Sequence, residues 1–199
     1  RSPSRGLGDV YKRQDIYKFG SNFDECLEKA VEFSKKNDSL FVHPFDDHNV
    51  INGQGTIGDE ICNKIKPDII LASIGGGGLI SGLFSYKKYF QKKYDIYGVE
   101  PCEAASMKIS LLNDRVCTLN KIDTFVDGAS VKTVGKLTFD ICKNNNLKTF
   151  IASNGRICNE MISLYQEDGI IAEPAGALSV CGLDNLKKND IKGKNVVCI

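Results

Sequence analysis

From residue 15 onward, apolar positions alternate between two spacings along the chain. Short continuous apolar runs suit strands, and stripes at three- and four-residue intervals suit helices. IYKFG (16–20) is a short strand candidate. SNFDECLEKAVEFSKKN follows as a helix with Phe23, Leu27, Ala30 and Val31 on one face and Ser21 or Asn22 as its cap. SLFVHPF (39–45) reads as a strand stopped by Pro44. After a polar turn, GQGTIGDEICNKI makes a second helix with Ile57, Ile61 and Ile65 on one stripe. DIILASI (68–74) is a β-rich apolar run of the kind buried on both faces of a parallel sheet.

The same alternation continues to the end. A helix begins in GGGGLISGLFSYKKYF, YDIYGVEP is a strand, and CEAASMKISLLND and GKLTFDICKNNN are helical. KTFIAS is a strand, GRICNEMISLYQEDG a helix closed by Gly169, GALSVCGLDNLKKN a last helix, and NVVCI a strand. Strands alternating with helices predict an α/β fold, an open twisted parallel sheet with helices on both faces. The first fourteen residues, RSPSRGLGDVYKRQ, are basic, rich in Gly, Ser and Pro, and aperiodic. They are expected to be an extension outside the fold, probing no core of their own. NVVCI stops without a turn, so the sheet is expected to be incomplete.

Composition changes this picture little. Of 199 residues, 42% are hydrophobic, enough for a core, and Lys+Arg 26 against Asp+Glu 25 leaves a net charge of +1. That balance offers no basic surface for nucleic acid, and no apolar run is long enough to span a bilayer. Eight cysteines are scattered without C-x-x-C pairs or neighbouring histidines. They are expected to be reduced and mostly buried, with no metal among them, as in a cytoplasmic protein.

The chemistry concentrates where DIILASI meets Gly75, Gly76, Gly77 and Gly78 before LISGLF. A strand, a glycine run and a helix start together make an anion site. The glycines allow a close backbone approach, and the first turn of the helix offers unpaired N–H groups and a partial positive charge. Four glycines in a row are costly to order, which argues against a plain turn. The G-x-G-x-x-G/A fingerprint of dinucleotide sites fails in both registers, at Ile80 and at Ser81. Glu100 does close the next strand where a ribose-binding acid would lie, which keeps a non-catalytic nucleotide- or phosphate-binding module open. Glu173, ahead of Pro174, reads from the residues alone as an acid at a helix start. His43 and His48 belong to no triad-like pattern and read as structural or solvent-facing.

HPFDDHNVINGQGTIGDEI, ASIGGGGLISG, GVEP, KIDTFVDGASVKTVG, AEPAGALSV and IKGKNVVCI occur here in the order and at the spacings of the threonine dehydratases. The chain thus resembles these fold-type-II pyridoxal-phosphate enzymes, whose architecture is like that of the tryptophan synthase β subunit. The resemblance covers roughly Asp15 to Ile199, and GGGGL with GQGT upstream and AEPAGAL downstream is its specific part. It implies pyridoxal 5'-phosphate as cofactor, its phosphate held by Gly75, Gly76, Gly77, Gly78 and the Leu79 amide, with Glu173 close to the ring. It further implies deamination of L-threonine to 2-oxobutanoate and ammonia, as in isoleucine biosynthesis, in a dimer or tetramer of one chain. A serine racemase or serine dehydratase relative is the alternative.

The resemblance also divides the chain, with 15–46 ending a small domain and 47–199 belonging to a large cofactor domain. GQGT is expected to be a helix start joining the two, with Thr56 able to cap. Serine racemase-like members bind a divalent metal through the acid at Glu100 and an aspartate six residues on. Here that second position is Ser106, so no metal site is expected. The family's cofactor-linking lysine lies in a Ser-Phe-Lys-x-Arg-Gly-like segment that these 199 residues do not contain. On that ground the residues given are expected to hold half of a site and to be inactive alone.

Overall fold

A computed structural model of the chain describes residues 15–199. The expectation for residues 1–14 lies outside the described residues. Backbone contacts divide the chain into two units, one running to Phe41 and one from Val42 to Ile199.

In the first unit, helix α1 (Phe23–Lys36) forms where the apolar stripe predicts it. Asn22 caps it, its side-chain oxygen accepting the Glu25 N–H at 3.1 Å, and Glu25 returns a bond from the Ser21 N–H at 2.8 Å. The first bond satisfies a donor that a helix end leaves open, and the second ties the residue before the cap to the first turn. IYKFG and SLFVHPF form no strand among the described residues. Both are short apolar runs without strict alternation, which local pattern alone cannot separate from packed loop.

The second unit holds the sheet. Its elements are α2 (His48–Lys64), β1 (Ile69–Ser73), α3 (Gly78–Tyr89), β2 (Asp95–Pro101), α4 (Ser106–Leu112), α5 (Lys136–Asn144), β3 (Lys148–Ala152), α6 (Asn154–Asp168), α7 (Pro174–Cys181), the helical turn α8 (Lys188–Ile191) and β4 (Val196–Cys198). The four strands lie in the order β3-β2-β1-β4, and every pairing is parallel. This is the predicted fold class. Leu71, at the centre, faces Tyr97 on one side and Cys198 on the other.

Alternate β1 side chains enter different cores, as the two-residue period of a strand requires. Ile70 and Ala72 pack with Ile80, Leu83 and Phe84 of α3, Met107 of α4 and Phe139 of α5. Leu71 packs with Val99, with Ile157 of α6 and with Ala177, Leu178 and Cys181 of α7. Ile70 and Leu71 are fully buried, and burial of such a side chain stabilises the fold by ~2 kcal/mol.

Three further expectations are corrected. α2 begins at His48, with Asp47 as its cap, five residues earlier than expected. GQGT therefore lies inside the helix and starts nothing; Thr56 donates its hydroxyl to the Gly53 carbonyl at 2.8 Å and caps nothing. The helix predicted over GALSVCGLDNLKKN is broken: α7 passes into a 3-10 turn at Gly182–Asn185, and α8 follows separately. Of the eight cysteines, all free, only Cys142 and Cys181 are buried, and Cys26 and Cys102 are exposed. The other four are half-buried, two of them, Cys62 and Cys198, packed against the cores.

α2 and α3 cross closely because glycines meet at the contact. A Cβ added to Gly82 would come within 2.6 Å of the Gly55 amide and the Ile51 carbonyl, both backbone atoms that cannot give way. Gly53, two residues from Gly55 and so on another side of α2, faces open space. Gly82→Ala is therefore expected to destabilise the full-length protein by ~3 kcal/mol through overpacking. Gly53→Ala is expected to stabilise it by ~0.5–1 kcal/mol by restricting the unfolded chain. Urea unfolding of the two variants checks the opposite signs.

Candidate functional site

The sheet order sets where a ligand can enter. The chain runs outward from β1 to β2 and β3, then returns to the far side of β1 to form β4. The strand order thus reverses beside β1, and a crevice opens outside the carboxyl ends of strands at such a point. The glycine run leaves β1 at that place.

Gly77 takes a left-handed backbone, φ 92°, which a residue with a side chain rarely adopts. It is the cap of α3, but it has no side chain to cap with, and no acidic residue stands in the first turn of the helix. The amides at the start of α3 therefore keep their hydrogen-bonding capacity, with the positive end of the helix behind them.

Protein packs against the other side of the loop at every glycine. A Cβ at Gly75 would approach the backbone of Gly128 and Ala129 at 3.1–3.4 Å. One at Gly76 would fall on the Phe45 ring, one at Gly77 would lie 2.9 Å from Met107 and Thr138, and one at Gly78 3.0 Å from Phe45. The sequence suggested that the glycines clear space for a ligand. In the structure they also clear space for the walls that back the loop.

Two of the segments that supply those walls, HPFDD and the start of α5, were not connected with the loop by sequence reasoning. In HPFDD, the His43 Nδ1 accepts the Asp46 N–H at 2.9 Å and the Phe45 N–H at 3.3 Å, and the two rings meet edge to face at 4.6 Å. Asp46 then reaches α5, where its carboxylate accepts the N–H groups of Lys136, Leu137 and Thr138 at 3.0, 2.8 and 3.2 Å. Thr138 donates its hydroxyl to the Gly76 carbonyl at 2.7 Å. Only the acid two residues after a histidine–proline pair could have hinted at a cap, and nothing in the sequence showed which helix it would serve.

Glu173 is the cap residue of α7, exposed, with no capping bond from its side chain. It lies beside Gly128, whose added Cβ would be 3.5 Å from a Glu173 carboxylate oxygen. Gly128–Ala129 in turn backs Gly75. The end of β1 is tied to the same helix, since Ser73 donates its hydroxyl to the Ala175 carbonyl at 2.7 Å. All six candidate residues, Gly75, Gly76, Gly77, Gly78, Leu79 and Glu173, thus lie on or next to one short arc around the end of β1.

Glu100 does not face outward as a ribose-binding acid would. It is fully buried, and its two oxygens accept the Met107 and Lys108 amides at 2.7 and 2.8 Å, at the start of α4. Burial pushes its carboxyl up to about 7, against the opposing pull of those two amides and of the Lys108 charge. Ser106 is buried with its hydroxyl unpartnered. Among the described residues, no three or more His, Cys, Asp or Glu side chains converge in a way that could hold a metal ion. His48 is exposed at the start of α2.

The family profile described as pyridoxal-phosphate dependent enzyme matches residues 8–199. The chain belongs to this family. Within the pyridoxal-phosphate dependent enzymes it is 44% identical, over 182 residues, to the biosynthetic L-threonine dehydratase of Halalkalibacterium halodurans, covering 90% of this chain. It is also 44% identical, over 187 residues, to that of Bacillus subtilis, covering 93% of this chain. In both cases the match spans 44% of the relative's own length. The processed form of threonine deaminase isoform 2 from Solanum lycopersicum superposes with a TM-score of 0.84 at 34% identity, covering all of this chain and 59% of that one. The family's phosphate-bearing cofactor fits the cradle: free first-turn amides, no competing acid in that turn, and a backbone with no room for side chains.

The His43 contacts carry a pH dependence. A protonated imidazole has no acceptor for the Phe45 and Asp46 amides, and burial lowers the His43 pKa below the ordinary 6.5, only partly offset by the Asp46 and Asp47 carboxylates. The unfolded chain therefore binds the proton first, and this contribution to stability is lost as pH falls below about 6.5. Unfolding free energy measured from pH 7.5 down to 5 should fall more steeply in the wild type than in His43→Asn. There the amide oxygen can take the same bonds without titrating.

Proposed function

We propose that this chain is the cofactor-phosphate-holding part of a threonine dehydratase that deaminates L-threonine to 2-oxobutanoate and ammonia. The observation that carries the reading is the uncapped start of α3 behind four walled glycines, in a chain 44% identical to two biosynthetic L-threonine dehydratases. On this reading the loop Gly75–Gly78 and the Leu79 amide hold the phosphate of pyridoxal 5'-phosphate, and Glu173 stands near the ring.

When bound, the cofactor supplies an electron sink for the carbanion left when the α-proton of the amino acid is removed. The chain's own contribution is placement. Amides aimed at the phosphate by a rigid loop fix the cofactor at one end, so that the substrate meets it in one geometry. The positive end of α3 favours the phosphate dianion at no cost in reorganisation. Loss of the β-hydroxyl and the α-proton, followed by addition of water and release of ammonia, leaves the 2-oxo acid. L-Serine has the same β-hydroxyl and can enter the same sequence.

The domain division at residues 46 and 47, a cytoplasmic location and a homo-oligomer, dimer or tetramer, belong to the same proposal. No described helix is long and apolar enough to cross a membrane.

The test uses the full-length protein purified with pyridoxal 5'-phosphate. Release of 2-oxo acid from L-threonine faster than from L-serine is the expected result. Preference for L-serine, or racemisation without oxo acid, would move the protein to a serine-acting branch. Failure to bind the cofactor at all would leave only a phosphate-binding module.

A second measurement addresses the loop. Gly77→Ala places a side chain on a left-handed residue, 2.9 Å from Met107 and Thr138. It is expected to weaken pyridoxal 5'-phosphate binding by at least tenfold, equivalent to ~1.4 kcal/mol, read by equilibrium dialysis.

A further inference from the structure

Resting on the reading that the glycine loop holds the cofactor phosphate, we propose that Asp46 and Thr138 are positioning residues that aim the loop's amides at it. Four consecutive glycines have little conformational preference of their own, so something else must fix the direction of each peptide. At Gly76 that agent is visible. Its carbonyl accepts the Thr138 hydroxyl at 2.7 Å and lies 3.4 Å from the Gly135 nitrogen. In a trans peptide the C=O and the following N–H point in opposite directions. With the Gly76 carbonyl held toward α5, the Gly77 N–H is turned away from α5. The Thr138 hydroxyl, which also lies 3.1 Å from the Gly135 carbonyl, and the weaker Gly135 N–H bond thereby set the orientation of the peptide that leads into the start of α3.

Thr138 is in turn held by Asp46. It is the third residue of α5 and fully buried, and its own N–H is one of the three first-turn amides that the Asp46 carboxylate accepts. A helix is usually capped by the residue just before it. Here that residue is Gly135, with no side chain, and a Cβ on it would collide with the Asp46 carboxylate. The cap has been handed to a residue 90 positions away in sequence. That residue follows Phe45, whose ring covers Gly76 and whose Cβ and backbone lie against Gly78, and its N–H is held by His43. Cover, cap and peptide orientation are linked in one chain of contacts, from His43 through Asp46 and Thr138 to Gly76.

A role in aiming the phosphate-binding amides differs from a role in general stability in what it discriminates. The full-length protein is titrated separately with pyridoxal 5'-phosphate and with pyridoxal, which has the same ring but no phosphate, and the ratio of the two dissociation constants is taken. Thr138→Val keeps the branched shape that closes against Gly77 and removes only the hydroxyl. It is expected to lower the preference for the phosphorylated form by about tenfold, the worth of one well-made hydrogen bond, and to leave pyridoxal binding within about twofold. Thr138→Ser, which keeps the donor, should restore the ratio, and Asp46→Asn should lower it less than Thr138→Val does.

If Thr138→Val and Asp46→Asn keep the wild-type ratio, the proposal is wrong. It is equally wrong if both ligands weaken together, because that outcome marks a structural role alone. A wild-type protein that binds the two forms equally would instead overturn the phosphate reading of the loop itself.

Discussion

Strand β1 is hydrogen-bonded along both edges and covered on both faces, and the rest of the second unit is arranged around that constraint. Its backbone pairs with β2 on one side and β4 on the other. Its side chains enter two separate cores. A strand enclosed in this way cannot slip by one residue, since slippage would exchange the two cores. The end of β1 is therefore a fixed point. It is fixed again by Ser73 on Ala175 and by the Ile74 N–H on the Val99 carbonyl at 2.9 Å. A flexible glycine run can serve as a precise binding element only when it departs from such a point and is walled on its far side.

The helix starts show how the structure uses charge. α1 is capped by Asn22, α2 by Asp47, α5 by the distant Asp46 and α6 by Ser153. At α4 the buried Glu100 takes two first-turn amides, although desolvation opposes its ionisation. Among the longer helices, α3 and α7 have no side-chain cap. These are the two whose starts lie at the end of β1, one carrying the glycine loop and the other Glu173. An uncapped helix start leaves donors unsatisfied, a cost the fold avoids elsewhere with five acids or amides or hydroxyls. Leaving α3 open beside a switch in strand order is consistent with an anion supplied from outside.

Much of this was legible in the sequence, because the period of a buried parallel strand and that of an amphipathic helix differ sharply. All four observed strands lie within predicted segments, and every helix longer than eight residues overlaps one, although α2 starts five residues and α6 one residue before the segment predicted for it. The errors have local causes. SLFVHPF contains apolar residues that serve a cover and a turn rather than a ladder, so its hydrophobicity was read as strand. GQGT looked like a boundary because two glycines in four residues weaken a helix. They are tolerated inside α2 because Gly55 lets α3 come close. The glycine loop and Glu173 were visible as a motif and a position. Asp46 and Thr138 were not, since their role depends on a contact spanning about ninety residues that no local pattern encodes.

That contact bears on what the glycine motif means. If the glycines served only to let a ligand approach, their Cβ directions would point into open space. Instead they point at Phe45, Met107, Thr138 and the Gly128–Ala129 backbone. The motif therefore records two requirements at once, room for the supporting wall and freedom for the amides on the opposite side. A loop with the same four glycines but no wall would be as flexible as its composition suggests, and would have to be ordered by its ligand at the expense of affinity. Here the ordering is done in advance by side chains from HPFDD and from the first turn of α5. For this reason the flanking motifs, and not the glycines alone, distinguish a pre-ordered loop from a flexible turn.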